Sequence, residues 1–146
     1  MNVPNIEKTL NPDELFLFKD LISPHFNPNW HFHPELQISF IIRGKGTRFI
    51  ADHVETFEEE DLVLTGPNVP HLWRNDEAYF NQNNNLSTRG LVIYFNSELL
   101  HNALLQKNEF YHINKLIKNS ARGIEFYGET KKEIKELLLK MGKVKG

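Results

Sequence analysis

Three of the seven histidines stand where ligand chemistry is easiest to build: His31 and His33, two residues apart, and His71 further along the chain. On an extended strand, side chains at i and i+2 share a face, so His31, His33 and Gln37 should point one way while Phe32 and Ile38 point the other. Neutral imidazole suits a divalent transition metal, and three such nitrogens with an open fourth position describe many catalytic centres. The same residues also serve a plainer chemistry beside aromatics such as Trp30, Phe32 and Trp73, donating to a backbone carbonyl or to a bound small molecule. Trp73 follows His71 by two and should share its face on a strand. No nucleophile-elbow, dinucleotide-fingerprint or P-loop pattern occurs, which leaves acyl transfer and nucleotide chemistry without a sequence argument.

Strands must position these residues. From Leu15 to about Phe95, short apolar and β-branched runs alternate with Gly, Pro, Asn and Asp, the punctuation of an all-β unit. The expected strands are Leu15 to Ile22, Trp30 to His33, Leu36 to Arg43, Thr47 to Asp52, Leu62 to Thr65, His71 to Arg74 and Leu91 to Phe95. Gly44-Lys45-Gly46 predicts a hairpin between the third and fourth, and Asp52-His53 the next turn. Strands this short and numerous favour a barrel or sandwich, which hides apolar faces and unpaired edges together. After Asn96 the period lengthens to about 3.6. One helix is expected from Asn96-Ser97-Glu98 to Leu105, a second to about Ala121 with Gly123 as its terminator, and a third opened by a Thr130 to Glu133 capping box. The third carries a stripe of Ile134, Leu137, Leu138 and Met141 that needs cover from the barrel or from a second copy, in a symmetric dimer.

Composition narrows the partners. With 146 residues, 40% of them hydrophobic, the chain suits one domain with a real core, divided into a β unit over 1–95 and a helical segment over 96–146. There is no cysteine, hence no disulfide framework and no thiolate metal site. A net charge of −2 gives no footprint for nucleic acid, and the late lysines from Lys131 to Lys145 suit a solvated helix face. Without a leader pattern or a spanning apolar run, the chain is expected in the cytoplasm and away from membranes.

The segment His31-Phe32-His33-Pro34-Glu35-Leu36-Gln37 with Gly44 beyond resembles the first cupin motif, and Glu60-Asp61 through Pro70-His71 with Asn75 resembles the second. The Pro67-Asn68-Val69-Pro70-His71 segment and the tail from Ser120 to Thr130 are more specifically similar to the N-terminal sensor domain of AraC/XylS-type transcriptional regulators. The resemblance implies a mainly β cupin barrel (a double-stranded β-helix, or jelly roll) followed by a small α-helical C-terminal segment. It further implies a small polar effector, a sugar or similar metabolite, held by His31, His33, Gln37, His71 and Trp73. Its metal-binding members place Glu where Gln37 stands, and an amide oxygen is the weaker ligand. No metal cofactor is therefore expected to be required, although His31, His33 and His71 could take zinc or nickel adventitiously. A metal-dependent cupin dioxygenase or isomerase using those three histidines is the alternative. Such regulators continue into a domain with two helix-turn-helix units, so contact with DNA is expected only through a domain outside these residues.

Overall fold

The protein is described here by a computed structural model covering residues 3–7, 9–81, 83–96, 98 and 115–144. It is mainly β. In chain order the strands are β1 (Asn5–Ile6), β2 (Phe16–Ser23), β3 (His31–Phe32), β4 (Leu36–Arg43), β5 (Gly46–Ile50), β6 (His53–Phe57), β7 (Leu62–Thr65), β8 (His71–Asn75), β9 (Thr88–Phe95) and β10 (Ile124–Glu125). They form two five-stranded sheets, ordered β1-β3-β8-β5-β6 and β10-β7-β4-β9-β2. Among these strands every pairing is antiparallel except that of β1 with β3.

Alternation along each strand separates two apolar regions. Between the sheets, Ile41 and Val63 of one meet Ile50, Phe57 and Trp73 of the other, with Phe26 and Val69 beside them. On the outer face of the second sheet, Phe40, Leu62, Leu91 and Ile93 pack against a helix, α1 (Gly128–Met141). The cover is intramolecular: Leu138, Ile134 and Met141 supply it. The expected stripe thus divides, since Leu137 remains 59% exposed while Leu138 is 3% exposed. One full turn and then another carry 134, 138 and 141 to the sheet, and the step to 137 turns that side chain toward solvent.

Three local expectations are corrected. Gly44-Lys45 does not close a hairpin; it carries the chain from one sheet to the other, because β4 pairs with β7 and β9 whereas β5 pairs with β6 and β8. The hairpin partner of β5 is β6, which begins at His53 where only a turn was expected, with Ala51 at φ 53° making the reversal. The Thr130 capping box does not form either. The helix starts two residues earlier, after an extended Tyr127, so Thr130 already lies within the first turn. Of the other two helices, the first and the start of the second fall on residues outside those described; 115–118 are helical and pass into a 3₁₀ turn, Asn119–Arg122, closed by Gly123 at φ 80°. The segment beyond Asn96 also adds β10 to the edge of the second sheet beside β7.

Gly46 is where the crossing is tightest. A Cβ there would lie 2.1 Å from the Arg74 carbonyl oxygen and 2.7 Å from the Asn75 Cα, both backbone atoms of the neighbouring strand. Gly46→Ala should therefore destabilise the protein by about 2 kcal/mol or more, through overpacking that no rotamer relieves. Chemical denaturation reads this directly, and an unchanged midpoint would show that β5 and β8 can separate without cost.

Candidate functional site

β3 and β8 bring His31 opposite His71 in register, and the chain leaving β3 adds His33. The ring centroids of His31 and His33 lie 4.5 and 4.8 Å from that of His71. Each ring is fixed in the same way by a carbonyl two residues off. The Nδ1–H of His31 donates to Asn29 at 2.7 Å, that of His33 to Glu35 at 3.0 Å and that of His71 to Val69 at 2.8 Å. In His71 this tautomer leaves a lone pair on Nε2. His33 and His71 are each 1% exposed, and the His71 Nε2 is buried without any partner.

Gln37, on β4, reaches the same point. Its Nε2 donates to the Ser39 hydroxyl at 2.7 Å, which turns its Oε1 toward the His33 Nε2 at 2.9 Å. The cluster thus holds His33 at both ring nitrogens, by Glu35 and by Gln37. It opens into a cavity of about 210 Å³ between the sheets, lined also by Leu21, Phe26, Trp73, Val92 and Tyr94. Among the described residues no lysine or arginine lines it, and the one carboxylate that does is Glu7, whose Oε2 lies 3.9 Å from the His31 Nε2. Trp73 meets His71 edge-on at 5.8 Å and Tyr94 meets His33 edge-on at 5.4 Å.

The electrostatics follow from burial. Desolvation first, then the neighbouring His31 and His33, hold His71 down to about 3, although its bond to Val69 opposes the shift. It is a neutral acceptor at physiological pH. Tyr94 is pushed up to about 12 by burial, then by the negative charges of Glu7 and Glu35, so its hydroxyl keeps its proton.

All five residues expected at the site, His31, His33, Gln37, His71 and Trp73, are brought together. Sequence reasoning missed Glu7, Phe26, Ser39 and Tyr94. Ser39 and Tyr94 were open to the same alternation argument as Gln37, being two residues on along β4 and opposite Gln37 on β9. Glu7 had no such signal. It arrives because β1 adds alongside β3 and because the Glu35 carboxylate accepts the Thr9 and Leu10 amides at 2.9 and 2.8 Å.

The histidine set suits a divalent ion in kind. One ring nitrogen from each residue lies within 4.8 Å of the others, close enough for the three to turn toward a single ion. The nearest fourth donor is the neutral amide of Gln37, which offers no charge to offset a dication. A second cavity, of about 150 Å³, is lined by Arg48, His53, Glu55, Arg122 and Glu125 among others. Those charges are spent on one another and on Asp52 and Asp61.

A family profile described as the AraC-like ligand binding domain matches residues 11–140. No curated protein matches significantly. Among solved structures, a single-residue variant of oxalate decarboxylase from Bacillus subtilis aligns at 19% identity over 57% of this chain, with a TM-score of 0.45. The chain spans only 22% of that enzyme. A protein from Neisseria meningitidis aligns at 18% identity over 59% of this chain and 78% of its own, with a TM-score of 0.42. The fold is a cupin-type barrel, and with 130 of its residues spanned by the family profile the chain belongs to the AraC-like ligand-binding domain family.

Proposed function

We propose that this chain is the effector-sensing domain of an AraC-type transcriptional regulator, acting in the cytoplasm on a small polar metabolite held between the two sheets. The observation that carries the reading is the buried, unpartnered His71 Nε2 at the wall of the cavity between the sheets, because an orphaned acceptor of this kind costs about 1–3 kcal/mol until a donor satisfies it. Transmission has a physical route. Gln37, Ser39 and Ile41 of β4 line the cavity, while Ile38 and Phe40 of the same strand pack against the α1 cluster. A ligand that shifts β4 therefore acts on both faces, and it can bias two states only through contacts that differ between them. A homodimer, the expected assembly, would use Leu137 and Leu139, since the other stripe residues are covered by the barrel. The enzyme alternative would require the three imidazoles to close on a metal that Gln37 leaves uncompensated.

A thermal-shift screen of sugars, amino acids, organic acids and amines should find a stabiliser worth about 2.7 kcal/mol at a hundred times its Kd. The gain should vanish in Trp73→Ala. A stabiliser indifferent to Trp73 would place binding outside this cavity, and one stoichiometric iron or manganese on the purified protein would favour the enzyme.

A further inference from the structure

Resting on the reading of this cavity as an effector site, we propose that its occupant is an uncharged phenol, a single apolar ring bearing one hydroxyl that points to the histidine end. The register of β4 against β9 lays one wall of the cavity in three rungs: Gln37 beside Tyr94, Ser39 beside Val92, and Ile41 beside Gly90. Polarity falls along them, from two polar side chains to one to none. The facing wall follows the same order, since His71 on β8 is succeeded two residues on by Trp73, which belongs with Ile41 and Phe26 to the inner apolar cluster. Phe26 closes that end, its ring 3.2 Å from where a Cβ on Gly90 would stand.

The polar end both takes and gives a proton. The His71 Nδ1–H is committed to Val69, so its buried Nε2 is an acceptor without a partner. Tyr94, kept protonated by burial and then by the negative charges of Glu7 and Glu35, is a donor. A hydroxyl between them donates to the first and accepts from the second. A carboxylate, ionised at neutral pH, would leave the His71 nitrogen unmet and would face Glu7. Among the described residues no lysine or arginine lines the cavity to balance it, and Lys19, 5.5 Å from the Tyr94 ring centroid, lies outside the lining. An ammonium would gain little from Glu7, a side chain 45% exposed to water, and could not accept from Tyr94.

Size and the apolar end select the body. Two residues of strand advance about 7 Å, so one ring with its hydroxyl reaches from the first rung to the second. The volume of about 210 Å³ exceeds the roughly 150 Å³ that suffices for benzene. A sugar carries hydroxyls on every side, and those turned toward Phe26, Ile41 and Val92 would lose water without gaining a partner. Asn27, also in the lining, is exposed to solvent, and its Oδ1 accepts the Asn29 amide at 3.1 Å.

A matched series on the whole chain by calorimetry at pH 7 tests this. Its members are p-cresol, uncharged there as a phenol of pKa about 10, its methyl ether 4-methylanisole, 4-methylbenzoate, 4-methylbenzylamine and glucose. p-Cresol should bind about tenfold tighter than any of the others, and Tyr94→Phe, which removes the donor and keeps the ring, should weaken it about fivefold. The ligands are compared on the unaltered protein, so a variant that fails to fold does not blunt the result. Equal binding of the methyl ether would show that no donated proton is read. Tighter benzoate or benzylamine would overturn the uncharged head, tighter glucose the apolar body, and an affinity unchanged in folded Tyr94→Phe the placement of the hydroxyl. If a compound of the wider screen binds in a Trp73-dependent way while p-cresol does not, the phenol fails and the sensor stands. If nothing in either set binds, both fail.

Discussion

Lowering the pH from 7 to 5 should cost the ligand-free protein about 2 kcal/mol through His71 alone, with the loss deepening toward pH 4. In the folded chain this imidazole titrates at about 3, and in the unfolded chain near its ordinary 6.5. Between those values the unfolded state binds a proton that the folded state excludes. The stability is fully present above pH 6.5 and drains away as the pH falls, the reverse of a histidine paired with a carboxylate. Burial is the first cause, and the two neighbouring imidazoles add to it, so the effect belongs to the cluster's construction rather than to any one contact. Urea unfolding of the wild type and of His71→Phe at both pH values isolates it from the general protonation of carboxylates. The wild type should lose about 2 kcal/mol more than the variant. Parallel losses would mean that His71 is solvated in the folded state and that the cavity wall is not closed around it.

How much of this was legible in the sequence depended on whether the signal was local. β4 and β7 match their expected limits residue for residue, because Leu36–Arg43 and Leu62–Thr65 are apolar runs bounded by Pro34, Gly44, Asp61 and Gly66. Strand partners were a different matter. The glycines at 44 and 46 announce a reversal, but which sheet the next strand joins is decided by Gly46 fitting against the backbone of Arg74 and Asn75, a contact far away in sequence. β6 was missed because four of its five residues are exposed and give no alternation to read. The capping box at Thr130 is a sound local pattern that tertiary structure overrode: the Phe126 amide donates to the Leu62 carbonyl at 3.0 Å, which fixes the chain's exit from the sheet, and helix begins at Gly128. The histidine triad was readable because strand periodicity and motif spacing both pointed to it. The charge at its rim was not, since a two-residue strand such as β1 carries no period at all.

Leu137 and Leu138 are adjacent, chemically identical and expected to behave oppositely. Leu138→Ala removes a side chain packed with Phe40, Leu62, Leu91 and Ile93 and should cost about 3 kcal/mol, within the range for truncating a buried leucine. Leu137→Ala removes one that faces solvent in the single chain and should change stability by no more than about 0.5 kcal/mol. The contrast matters because little else fastens α1. Its polar tie, Lys135 to Glu60 at 2.7 Å, joins two substantially exposed side chains and is worth at most about 1 kcal/mol. The helix is therefore held chiefly by the apolar burial that Leu138 centres. Leu138→Asp should release it while leaving the inner cluster of Ile41, Ile50, Phe57, Val63 and Trp73 in place. Proteolysis under native conditions would then cut within 128–141 first, with the barrel fragment persisting. Equal stability losses from Leu137→Ala and Leu138→Ala would instead show that both faces of α1 are buried in solution, the second of them against another copy of the chain.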